Sequence, residues 1–188
     1  MAKNALAGFE EIENVAATPL DVPPQTDGYF QVKVNLIPLN EAKPDLIMLG
    51  LTVETGKEAG ARTVKTLNNP QALKEQGKDR GAEMSLAEWK GACVSTGVPT
   101  KAIASAQSLR DAATEFDGKT AYIYFEPAVL VKNSNGYSKV TFVTKEKYES
   151  SKDTNGVRME AYIKSGGRPA GAATSSARTS TAALSDLD

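Results

Sequence analysis

The stretch DGYFQVKVNLIPL, Asp27 to Leu39, decides the fold class. Through its middle, Phe30, Val32, Val34 and Leu36 alternate with Tyr29, Gln31, Lys33 and Asn35. A period of two belongs to a β-strand with one face in a core. The other face is polar here and carries an aromatic ring and a lysine. Two further strand patterns follow. DLIMLGLTVETG, Asp45 to Gly56, is rich in Ile, Leu and Val and has Gly50 inside it, where a glycine marks a bulge or tight bend that lets a small sheet curl. After a glycine-bounded turn at Gly56 and Gly60, ARTVKTL, Ala61 to Leu67, reads as a third strand with Arg62 and Val64 on one side.

Strands return in the last third. KTAYIYFEPAVLV, Lys119 to Val131, sets Ala121, Ile123 and Phe125 against Tyr122 and Tyr124 until Pro127 interrupts it. Asn135-Gly136 is a strong hairpin signal leading into YSKVTFVT, Tyr137 to Thr144. A last strand is expected at VRMEAYIK, Val157 to Lys164, after a second Asn-Gly at 155 and 156.

Between the two groups of strands, Asn68 to Ser85 is a long polar excursion with room for one helical turn, of the length that tends to be functional. A helix follows: Ser85 is its expected N-cap, Glu88 completes a capping box, and Gly97 and Pro99 lie past its end. Leu86, Trp89 and Cys93 share one face, which makes Trp89 a core residue and Cys93 a small buried hydrophobe. A weaker helical stretch covers Lys101 to Phe116. The expected fold is mainly β, a small five- or six-stranded barrel with one interior α-helix.

The composition excludes whole classes of chemistry. The 188 residues suffice for one domain with a real core, and they include one cysteine and no histidine. An internal disulfide, a thiolate or imidazole zinc site and every histidine-dependent triad are therefore ruled out. The acids Glu54, Glu58, Asp79, Glu83, Glu126 and Asp153 form no paired-carboxylate or metal pattern, and GKEAG and GKDRG lack a phosphate-loop frame. The chain reads as non-enzymatic, with no cofactor. With no long apolar run and no leader signal at its start, it is expected to be cytoplasmic.

The net charge of -1 hides an uneven layout: residues 1–24 carry -3, residues 25–168 carry +3, and residues 169–188 carry -1. The surplus of the middle lies in residues 117–168, with nine basic residues against six acidic ones. The expected organisation is an acidic arm over 1–24, a binding domain over 25–166 and a flexible tail over 167–188, where the chain is almost all Gly, Ala, Ser and Thr. The tail recovers apolar residues only at its tip, ALSDLD. There Leu184, Asp186, Leu187 and Asp188 make a hook for a protein partner or for the chain's own basic groove.

Aromatic rings and cations interleave on the strands. Tyr29, Tyr122, Tyr124 and Tyr137 project from polar faces, with Lys33, Arg62, Lys119, Lys132 and Lys139 on or beside the same strands. Lys74, Lys78 and Arg80 in the excursion could clamp a phosphate backbone. Such a pattern suits single-stranded nucleic acid, because every base offers a face to stack and every phosphate needs a counter-charge. The alternative is a structural or assembly protein whose tyrosine-bearing face is an oligomer interface.

The order GYFQVKV, then LIMLGLTVETG with the arginine of GARTVKTLNN, then AEWKGACVSTGVP, then GKTAYIYFEP and GYSKVTFV, resembles the bacteriophage single-stranded DNA-binding proteins with an oligonucleotide-binding (OB) fold. The similarity covers about residues 25 to 165. It implies an OB-like barrel and a role in coating single strands during replication or recombination. It also implies that Arg62 matches the arginine after the glycine turn, that Ser95 to Val98 match the helix exit, and that Ser185 to Asp188 form a tail tip recruiting replication partners. The chain departs from the family in its mildly basic body and in having two aspartates at the tip where the family has a denser acidic run.

Overall fold

The structure, a computed structural model, describes residues 22–38, 43–132 and 136–168. Five strands, β1 (Gly28–Leu36), β2 (Leu46–Val53), β3 (Arg62–Asn68), β4 (Thr120–Glu126) and β5 (Lys139–Phe142), form one antiparallel sheet in the order β3-β2-β1-β4-β5. The alternation in β1 does what its period demands: Phe30, Val32 and Val34 are buried while Lys33 and Asn35 are exposed. Ile47, Leu49, Leu51 and Val53 of β2 and Ala121, Ile123 and Phe125 of β4 complete the inner face.

The sheet curls into a nearly closed, OB-like barrel, and a helix fills the remaining gap. Helix α2 (Asp79–Thr96) touches β3, β4 and β5. Lys65 of β3 and Lys139 to Phe142 of β5 line one cavity together with Glu88 and Gly91 of α2. Trp89 is buried, lies 5.8 Å from the Phe116 ring, and donates its indole N–H to the Asn68 carbonyl at the end of β3. Ser95 docks the other end of α2, exchanging 2.7 Å bonds with the N–H and C=O of Tyr122. Cys93 is buried on the same helix, and burial pushes its thiol pKa up.

Several local expectations are corrected. The excursion holds the expected helical turn as α1 (Pro70–Glu75), capped by Asn69, but α2 begins within it, at Asp79. Ser85 is therefore no N-cap. It lies buried inside α2 with its hydroxyl on the Asn68 carbonyl, and Glu88 pairs with Lys65. The Lys101–Phe116 stretch splits into α3 (Thr100–Ala104) and α4 (Leu109–Thr114). As expected, β4 stops at Glu126, ahead of Pro127, but the rest of that stretch is a 3-10 turn at Ala128–Leu130. The barrel thus carries a group of helices between β3 and β4.

The largest correction concerns the last strand. Val157–Lys164 is a helix, α6, preceded by α5 (Lys145–Ser151), and both pack outside the barrel. Its alternation is accidental: Met159 alone is fully buried, and good helix formers such as Arg158, Met159, Glu160 and Ala161 fill it. Asn155-Gly156 makes no hairpin. Gly156, at φ 82°, starts α6, and the Met159 N–H reaches the buried Asp27 carboxylate at 2.8 Å. The other Asn-Gly falls partly outside the described residues, as does the tail beyond Arg168. No helix among the described residues is long and apolar enough to cross a membrane.

Candidate nucleic-acid interface

The strand registers fix which side chains share the outer face of the sheet. Arg62 lies opposite Thr52, Thr52 opposite Lys33, and Lys33 opposite Thr120, which makes one row across four strands. Adjacent strands are about 4.8 Å apart, so Arg62 and Lys33 stand about 10 Å from each other. The next row toward the Leu36 end of β1 holds Val64, Gly50 and Asn35. These three, with Thr52 and Arg62 of the first row and Ile37 at the edge, line an open groove of about 370 Å³, and Lys33 stands next to it, one strand beyond Thr52.

Gly50 explains why there is a groove. The register runs through it unbroken from Asn35 to Val64, so it makes no bulge. A Cβ there would lie 3.4 Å from the Asn35 carbonyl and 3.5 Å from the Ile37 side chain. Its missing side chain leaves the floor open between Val64, which is 48% exposed, and Asn35. Apolar floor, amide and flanking cations together suit a flat ring joined to an anion.

Charge in this row is not all of one sign. The Glu54 carboxylate accepts from the Gln31 amide at 3.0 Å and from the Thr120 hydroxyl at 3.3 Å. Lys119 is exposed just before β4 and accepts from the Val34 N–H, so it stands opposite the buried Val34 and outside the row of Lys33 and Thr120.

The tyrosines occupy the other half of the outer face, under the C-terminal helices. Tyr29 and Tyr124 face each other across β1 and β4 with ring centroids 4.9 Å apart. The Tyr122 ring lies 5.0 Å from the buried Tyr148 of α5, and the Lys147 ammonium sits 5.5 Å over the Tyr29 ring. Arg158 of α6 donates to the Tyr124 hydroxyl at 2.9 Å and pairs with Glu126 at 2.6 Å, and both contacts hold its pKa up. All three rings are half-buried.

The other sequence candidates spread over the surface. Lys132, Tyr137 and Lys139 belong to the β4–β5 connection and the start of β5, with Tyr137 77% exposed. Lys74, Lys78 and Arg80 are exposed around the α1–α2 corner. Lys78 lines a separate cavity of about 330 Å³ with Lys43 and Asn68. Asn68 is six residues along β3 from Arg62, about 20 Å in a strand, so the clamp expected in the excursion stands apart from the groove. Leu184, Asp186, Leu187 and Asp188 lie outside the described residues.

Sequence reasoning missed Asn35, although alternation puts it on the face of Lys33, and Thr52, which only the β1–β2 register brings beside Lys33. It also missed Asn155 and Arg158, whose partners are far away in the chain and leave no local signal. Among the described residues, no group of three or more acidic, cysteine or histidine side chains could hold a metal ion. The acids Glu54, Glu58 and Glu126 are each engaged in hydrogen bonds or ion pairs with neighbouring side chains. Comparison with protein-family models and with curated proteins finds no match for this chain.

Proposed function

We propose that this protein binds single-stranded DNA without catalysis and with little sequence preference, on the outer face of the barrel. The observation that carries the reading is the open groove floored by Gly50 and flanked by Lys33 and Arg62. A base fits against the apolar floor while the cations meet phosphates, a combination that is tolerant of sequence and strongly dependent on salt. Tyr29, Tyr122 and Tyr124 are packed beneath α5 and α6 and lie off this groove.

The resemblance to phage single-stranded DNA-binding proteins favours DNA over RNA and a role in replication or recombination in the host cytoplasm. The tail tip from Leu184 to Asp188 then serves replication partners. The alternative, an assembly protein joined through its tyrosine face, has less surface to use, because α5 and α6 already cover much of that face.

Reversing the row tests the site. Lys33→Glu with Arg62→Glu should weaken oligo-dT binding at least about a hundredfold at low salt, since two neutralised phosphates are lost and two repulsions gained. Lys74→Ala with Lys78→Ala should change it less than about threefold. Equal losses in the two variants would reject the groove as the binding site.

A further inference from the structure

α5 and α6, with a 3-10 turn at Lys152–Thr154 between them, cover the tyrosine half of the outer face while adding little apolar contact to the fold. Across residues 145–164 the buried hydrophobic side chains are Tyr148 and Met159, and neither belongs to the cluster that forms the barrel core. Val157 and Ile163 are exposed. Helices of seven and eight residues are not stable alone in water, so the pair keeps its place through its bonds to the barrel. Those bonds are polar. Asn155 holds the Tyr29 backbone, the Gly156 and Met159 N–H groups donate to the Asp27 carbonyl and carboxylate, and Arg158 reaches Tyr124 and Glu126. An element with so few buried apolar contacts belongs to the low-stability end of a structure, where local opening precedes global unfolding.

The covalent link to the barrel is short. The Val143 N–H is still bonded to the Tyr122 carbonyl, and Thr144 already caps α5, so the pair turns off the sheet at Thr144. Beneath it, Tyr29 faces Tyr124 and Gln31 faces Tyr122, on the same side of the sheet as Lys33 and Thr120. Lys33 is four residues along β1 from Tyr29, about 13 Å in a strand, so an uncovered sheet runs unbroken from the three rings to the lysine beside the groove. The pair also gives these rings partners that a stacked base would replace in kind. The Tyr148 ring lies 5.0 Å from Tyr122 at an interplanar angle of 35°, and the Lys147 ammonium sits over Tyr29. Exchanging one aromatic contact for another sacrifices little of the stacking.

We infer that α5 and α6 form a cap that swings off the sheet about Thr144, and that the face it uncovers, Tyr29, Tyr122 and Tyr124, is a second surface on which the bases of a single strand stack. The ligand rests on the function proposed above; the opening does not.

A disulfide that holds the cap shut tests this in the full chain. A Cβ at Gly156 would lie 3.8 Å from the Thr26 Cβ, the usual separation across a disulfide. With Thr26→Cys and Gly156→Cys, the oxidised protein should bind oligo-dT about tenfold more weakly than the same protein after reduction, the loss expected of one stacked base. Comparing two redox states of one variant cancels whatever the substitutions cost, and the native Cys93 is buried. Hydrogen exchange on the unmodified chain serves as a second measurement that needs no disulfide. The amides of α5 and α6 should exchange faster than those of Val32 and Val34 in β1, and faster still when oligo-dT saturates the protein, the reverse of ordinary protection by a ligand. Equal affinity of the oxidised and reduced forms would overturn the cap, as would α5 and α6 amides that exchange only with global unfolding. Fast exchange in a chain that binds no oligo-dT in either redox state would leave the opening standing and reject the DNA-binding reading.

Discussion

On the proposed reading, stability and binding pull apart at a single residue, Gly50. A glycine within a strand costs roughly 0.5–1 kcal/mol relative to alanine, and the unbroken register at Gly50 leaves no bulge to justify that cost. Its value lies in the space above it. Gly50→Ala meets ordinary contacts at 3.4 Å and beyond, so it should melt at the same temperature or higher. Gly50→Leu fills the groove and should weaken oligo-dT binding about tenfold, as expected when one stacked base is lost. Thermal melts and anisotropy titrations on both variants check this; a leucine variant that binds normally would contradict the assignment of the groove. In the sequence Gly50 was legible only as an anomaly, because what a missing side chain exposes depends on the strands placed beside it.

Among the elements, the C-terminal pair α5 and α6 owes its place to a few long-range bonds. β2 stops at Val53, opposite Val32, and leaves the start of β1 without a partner on that side. The Asn155 side chain takes the vacant position, accepting from the Tyr29 N–H at 2.7 Å and donating to its carbonyl at 2.8 Å. Gly28 lets it approach, since a Cβ there would lie 2.4 Å from the Asn155 Cγ. Asn155→Ala removes both bonds and leaves two part-buried backbone groups unpaired. It should cost about 2 kcal/mol, read by denaturant titration, with faster amide exchange at Tyr29. Unchanged stability and exchange would refute the anchoring role. This anchor joins residues 126 apart, and such a pairing writes nothing into local periodicity. β1, β2 and β4 were legible because each has one buried face and so keeps a period of two. In Val157–Lys164 the same period arose by chance, and the Asp27 carboxylate and the left-handed Gly156 that start a helix there are evident only once the fold is formed.

For the whole molecule, the uneven charge layout sets how tightly any polyanion is held. If the body binds DNA as proposed, a body of +3 between ends of -3 and -1 would set intramolecular acids against phosphate, and screening by salt would weaken both sides of that competition. Removing residues 169–188 should therefore tighten oligo-dT binding at low salt, by about threefold for a tip with two aspartates, and the gain should vanish as salt rises. Unchanged affinity would assign the tip to protein partners alone. Met84, Leu86 and Val94, each more than half exposed on α2, are the surface to watch in sedimentation runs if the protein self-associates.

The most direct test is fluorescence anisotropy of labelled oligo-dT and of a matched duplex, each titrated with the full chain at low and moderate salt. The account predicts salt-sensitive binding to the single strand, with the duplex bound far more weakly. Absence of single-strand binding, or equal affinity for the duplex, accompanied by large concentration-dependent assemblies, would contradict it and favour the assembly protein.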